Sequence, residues 1–201
     1  LVSMQGYQFY IAVTQDDLKE EDQVLSGLIE NKRTAGIIHV PVSDVAANYK
    51  KLIDSGIPFV CTERNILGEG IDSVEFRDRD AIFKGTDYLL TCGHKNILFL
   101  LEDAQSTTRE EKIIGFLKAL EEHRMNTTDA QIADVYLKSG EENCIMDVQR
   151  ALKRYRPTAV IAGGNRITLY LMKALRNLGI ECPEEVSVVG FGDEGWSELT
   201  Y

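Results

Sequence analysis

Eight short runs of β-branched and aromatic residues, separated by stretches of helical periodicity, constrain this chain more than any other feature. QFYIAV (8–13), AGIIHV (35–40), FVCTE (59–63), DSVEF (72–76), NILFLL (96–101), ADVYL (133–137), AVIAG (159–163) and SVVGF (187–191) read as strands. Several are apolar at consecutive positions, as a strand must be when helices cover both faces of its sheet. Between them, QDDLKEEDQVLSGLIEN carries Leu18, Val24, Leu25, Leu28 and Ile29 as one stripe behind an acidic first turn that suits the helix dipole. Segments 42–55, 79–92, 108–123, 142–155 and 165–178 follow the same logic. Strand and helix in strict alternation predict parallel sheets with right-handed crossovers.

One junction breaks the rhythm. RNILGEGI, between FVCTE and DSVEF, is too short for a crossover helix, so two small sheets are expected rather than one of eight strands. The predicted boundary falls at Phe76 and Arg77, dividing the chain into 1–76 and 77–201. A hydrophobic content of 44% in 201 residues is ample for packed cores. No run approaches the roughly 18 apolar residues that cross a bilayer, and the start LVSMQGYQFY lacks a basic segment followed by a cleavage site. A formal net charge of −10 disfavours direct contact with DNA phosphates. Cys61, Cys92, Cys144 and Cys182 are widely spaced without metal-ligand patterning and read as reduced thiols.

Candidate chemistry gathers at the strand ends, where ligands bind in open α/β sheets. The turn Gly163-Gly164-Asn165 lacks the spacing of either common phosphate-binding glycine loop; the glycines permit a tight turn, and Asn165 is expected either to cap the next helix, to face a ligand, or both. Glu63 and Arg64 directly follow a buried strand, as a ligand contact or a solvated ion pair. Arg109 and Lys112 share one face near the start of a helix, where cations oppose the dipole unless something acceptor-rich lies opposite. Asp193 and the single tryptophan, Trp196, form a carboxylate and aromatic pair suited to a polyhydroxylated ring, although Trp196 equally suits a loop cover or a subunit contact. His94 follows a glycine in a helix C-cap context, His39 sits near a strand end and His123 near a helix end; none accompanies a nucleophile motif. Neither a catalytic residue nor a cofactor or metal motif is apparent.

With these residues collected, the chain resembles the effector-binding core of the lactose-repressor and galactose-repressor (LacI/GalR) family of bacterial transcription regulators. The motifs that carry the resemblance occur in order: GYQFYIAVTQDD, AGIIHVP, GIPFVCTER, LLTCGHKNILFL, KIIGFLKALEE, RPTAVIAGGN and ECPEEVSVVGF. It implies an α/β architecture of two Rossmann-like (flavodoxin-like) subdomains with parallel sheets joined by crossover strands, the periplasmic-binding-protein type I fold. It also implies a cytoplasmic, non-enzymatic sensor that acts as a homodimer and needs no cofactor. A sugar-like effector sits in a crevice between the lobes, and operator DNA is read by an N-terminal helix-turn-helix domain outside this sequence. The first core strand is expected before Leu1, and further core after Tyr201. An exported sugar-binding protein of a transporter is the competing expectation.

Carried over residue by residue, the resemblance assigns effector contact to Glu63, Arg64, Phe76, Thr108, Lys112, Asn165, Asp193 and Trp196. Glu63 keeps the acidic character common at its place, while Lys112 replaces the usual arginine and exchanges a bidentate fork for a point charge. Asn165 and Gly192 stand where aspartates are usual. This loss of negative charge beside Arg64 and Lys112 suggests an effector bearing an acid or phosphate group, with Glu63 arguing the other way.

Overall fold

A computed structural model describes residues 5–68, 70–103, 106–192 and 194–195. The chain divides into two compact units, Leu1–Phe76 and Arg77–Tyr201.

In the first unit, helix α1 (Leu18–Glu30) precedes strand β1 (Ile37–His39); a 3₁₀ turn (Ala46–Tyr49) runs into the short helix α2 (Lys50–Asp54), followed by β2 (Phe59–Thr62) and β3 (Ser73–Val74). The sheet order is β1-β2-β3, all parallel. Asp17 caps α1, its carboxylate accepting from the amides of Lys19 and Glu20 at 2.8 and 3.0 Å. Leu25, Tyr49, Leu52, Cys61 and Ile66 form the core.

The predicted first strand, QFYIAV, pairs with no strand among the described residues, and Tyr10 and Ile11 are 75% and 71% exposed. A strand exists through its ladder of hydrogen bonds, and apolar character without a neighbouring edge does not make one. The predicted helix over 42–55 is likewise shortened, because residues 42 and 43 are held in a loop by buried side chains described below.

The second unit alternates without interruption: α3 (Asp78–Thr91), β4 (Ile97–Glu102), α4 (Thr107–Glu122), β5 (Gln131–Val135), α5 (Glu141–Tyr155), β6 (Ala159–Ala162), α6 (Asn165–Leu178) and β7 (Ser187–Val189). Its parallel sheet has the order β5-β4-β6-β7. The alternation of side chains along β4 builds a core on each face. Leu98 and Leu100 pack with Val148 and Leu171 of α5 and α6; Ile97, Phe99 and Leu101 pack with Ile82 and Phe116 of α3 and α4. Strand β5 begins and ends two residues earlier than ADVYL suggested, since Leu137–Ser139 closes into a 3₁₀ turn.

Glycine permits the closest approach in this unit. A Cβ on Gly115 would overlap the carbonyl of Arg79, so α4 lies directly on the start of α3. At the other end of α3, Gly93 (φ 92°) and His94 return amide hydrogen bonds to Leu90 and Leu89, the glycine stop expected beside His94.

Candidate functional site

The carboxyl ends of the parallel strands carry the polar residues in both units. In the first, the β2 ladder continues one residue past the strand: the Glu63 amide donates to the Val74 carbonyl at 3.0 Å while Glu63 adopts φ 63°. A left-handed glutamate is an uncommon backbone state, and such states concentrate where a side chain must be aimed. Glu63 is exposed. Arg64 is engaged within its own unit: its Nη1 donates to Asp16 at 2.8 Å and to the Pro41 carbonyl at 3.3 Å. Phe76 is 67% exposed.

Beneath this edge lies a buried polar cluster that the sequence did not disclose. Glu21 and His39 are 3% and 7% exposed. His39 Nε2 pairs with Glu21 Oε1 at 2.8 Å, the Val42 amide donates to the same oxygen at 3.0 Å, and the Tyr49 hydroxyl donates to Oε2 at 2.9 Å. Tyr49 in turn accepts from the Ser43 amide at 2.9 Å. Burial pushes the Tyr49 phenol well above its ordinary range, and the Glu21 carboxylate adds to the effect. Glu21 looked like one more charge in an acidic first turn; only its meeting with residues 18 and 28 positions away distinguishes it.

In the second unit, α4 starts at the Ser106 cap and lays its first turn over the ends of β4 and β5. Arg109 donates to the Glu102 carbonyl at 2.9 Å and to Asp134 at 2.6 Å. Thr108 is half-buried in the same turn. Lys112, 7% exposed, donates to the Gly163 carbonyl at 2.9 Å, lies 3.7 Å from Asp78, and faces the Phe191 ring at 4.6 Å from its centroid. The acceptor-rich surroundings required by a cation at that place are therefore supplied by the protein itself.

The β6 end is shaped by glycine. A Cβ on Gly163 would collide with Leu101 and with the Leu100 carbonyl. Gly164, not Asn165, is the N-cap of α6; Asn165 is the first helical residue, which corrects the capping expectation. Its side chain is exposed and donates to Glu194 at 2.9 Å. Gly192 has φ 90°, and a Cβ there would fall on the Asn165 side-chain amide, so a larger residue at 192 strains the backbone and requires Asn165 to move. Asp193 and Trp196 lie outside the described residues.

The remaining histidines act locally: His94 bonds Thr158 at 3.0 Å and His123 bonds Asp87 at 2.7 Å. Among the described residues no group of three His, Cys, Asp or Glu is placed to hold a metal, and no helix is long and apolar enough to cross a membrane. Burial raises the Cys61 and Cys182 thiols.

A family model for the periplasmic binding protein-like domain matches residues 86–201. A solved sugar-binding transcriptional regulator of the LacI family from Escherichia coli, complexed with phosphate, is 25% identical and superposes with a TM-score of 0.80 over 98% of this chain and 70% of that one. The chain belongs to this LacI-type, periplasmic-binding-protein-like family. Among curated relatives of this LacI-type chain, the arabinose metabolism transcriptional repressor of Geobacillus stearothermophilus is 28% identical over 97% of this chain and 55% of its own length. The regulator AscG of Escherichia coli K12 is 28% identical over 94% of this chain and 56% of its own. The LacI-type chain thus spans little more than half the length of these relatives, which are transcriptional regulators rather than enzymes.

Proposed function

We propose that this chain is the effector-sensing core of a DNA-binding transcription regulator, in which residues at the carboxyl ends of the strands take up a small carbohydrate. Operator contact is made by a segment outside this sequence, and the core forms a homodimer. Effector binding changes operator affinity because the ligand favours one arrangement of the protein over another; a ligand with equal affinity for both would shift nothing.

One observation carries the choice of ligand. Arg64, Arg109 and Lys112, three cations near strand ends, are each matched by a carboxylate of their own unit, Asp16, Asp134 and Asp78. An anionic effector would have to share or break these pairs, whereas the carboxylates of Glu63 and Glu194 can accept from hydroxyl groups beside the interactions they already make. A neutral polyhydroxylated ring therefore fits better than a sugar acid or phosphosugar. Thr108 and Phe76, with Asp193 and Trp196, complete the proposed contact set, while Arg64 and Lys112 contribute by holding the loops.

The test is a thermal-shift panel of neutral pentoses, hexoses and disaccharides beside sugar acids and phosphosugars. Selective binding to the native state raises the melting temperature, by about 2.7 kcal/mol of added stability at a hundredfold excess over Kd. Stabilisation by neutral sugars is expected; stabilisation by the anionic compounds alone would overturn the neutral assignment.

A further inference from the structure

Lys112 touches three segments that are distant in sequence. Its ammonium hydrogen-bonds the Gly163 carbonyl at the end of β6, approaches Asp78 at the first residue of α3, and rests on the Phe191 ring after β7. Asp78 is 5% exposed and lies two residues past Phe76, where the chain leaves the first unit. Phe191 is itself tied to α6: its amide donates to the Thr168 hydroxyl at 3.1 Å, and that hydroxyl donates to the Gly164 carbonyl at 2.9 Å.

We infer that Lys112 is a positioning residue, a clasp that couples the glycine turn at 163–165 to the start of α3, so that a change at the turn is felt where the chain enters the second unit. Two features make the coupling stiff. The contacts are buried, where charge interactions are screened little and an uncompensated carboxylate is costly. The partners are a backbone carbonyl and the short, buried side chain of the first residue of α3, which has little freedom to absorb a shift. On the sensing function proposed above, this gives an effector resting on Asn165 a route to the inter-unit connection without touching it; the clasp itself requires no effector.

Hydrogen–deuterium exchange on the unliganded chain tests the clasp separately from sensing. Lys112→Met and Asp78→Asn should each raise exchange by about tenfold or more at amides 165–168 and in the first turn of α3, while β5 and α5 keep their protection, a readout of local opening rather than global unfolding. The decisive arm is Asp78→Asn read at 165–168, since Asp78 is linked to that turn through the lysine. Unchanged exchange there overturns the clasp. Should Lys112→Met fail to fold, Asp78→Asn alone carries the decision, because it removes charge without volume.

Discussion

Lys112 and Gly192 show how single residues fix this edge of the sheet. Replacing Lys112 by methionine leaves Asp78 buried without its cation, and breaking a buried pair in this way costs about 3–5 kcal/mol. Urea unfolding should show a loss of that size, against less than about 1 kcal/mol for removing an exposed pair such as Lys50–Asp54. Gly192→Ala combines a left-handed backbone with a Cβ placed on the Asn165 amide, so a destabilisation of about 1–3 kcal/mol is expected, together with displacement of Asn165 from Glu194. Tyr49 provides a pH test. The folded state holds the phenolic proton more tightly than the unfolded chain, so its contribution is whole below the ordinary value of 10.0 and is lost as pH rises above it, where the unfolded chain ionises first. Denaturation at pH 8 and pH 10.5 should show a steeper loss for the wild type than for Tyr49→Phe, and equal losses would contradict the burial of this hydroxyl.

Among elements, the contact of α3 with α4 is the tightest and depends on a residue with no side chain. Gly115→Ala forces the start of α3 away from α4 by overlap with the Arg79 carbonyl, and overpacking of this kind costs about 1–3 kcal/mol. A fall in melting temperature should accompany it, whereas Gly27→Ala, in open space on α1, should be neutral or slightly stabilising. Element type was legible where both faces of a strand are covered: Ile97–Leu101 and Ala159–Ala162 are apolar at every position because α3 and α4 lie on one side and α5 and α6 on the other. It was not legible for QFYIAV, whose pattern is equally apolar but which has no neighbouring edge among the described residues. Composition records what a strand could bury, and only long-range pairing decides whether it does.

For the whole molecule, the alternation of elements and the family motifs disclosed a parallel α/β fold, placed Glu63, Arg64 and Asn165 just after strands and put Lys112 near the start of a helix. What they could not disclose is which carboxylate each cation meets. Asp16, Asp78 and Asp134 lie 48, 34 and 25 positions from Arg64, Lys112 and Arg109, and nothing local marks them as partners. That pairing changes the electrostatic argument: counted as a sequence, Arg64, Arg109 and Lys112 are surplus positive charge, but folded, each meets a carboxylate of its own unit. The neutral effector proposed above rests on these pairs and is open to direct measurement. Isothermal titration of the chain with the best neutral sugar from the panel, comparing wild type with Glu63→Gln and Asn165→Ala, should show at least a tenfold loss of affinity in each variant. That loss equals about 1.4 kcal/mol and matches one lost hydrogen bond to a buried polar ligand. Unchanged affinity in both variants would contradict recognition at the strand ends.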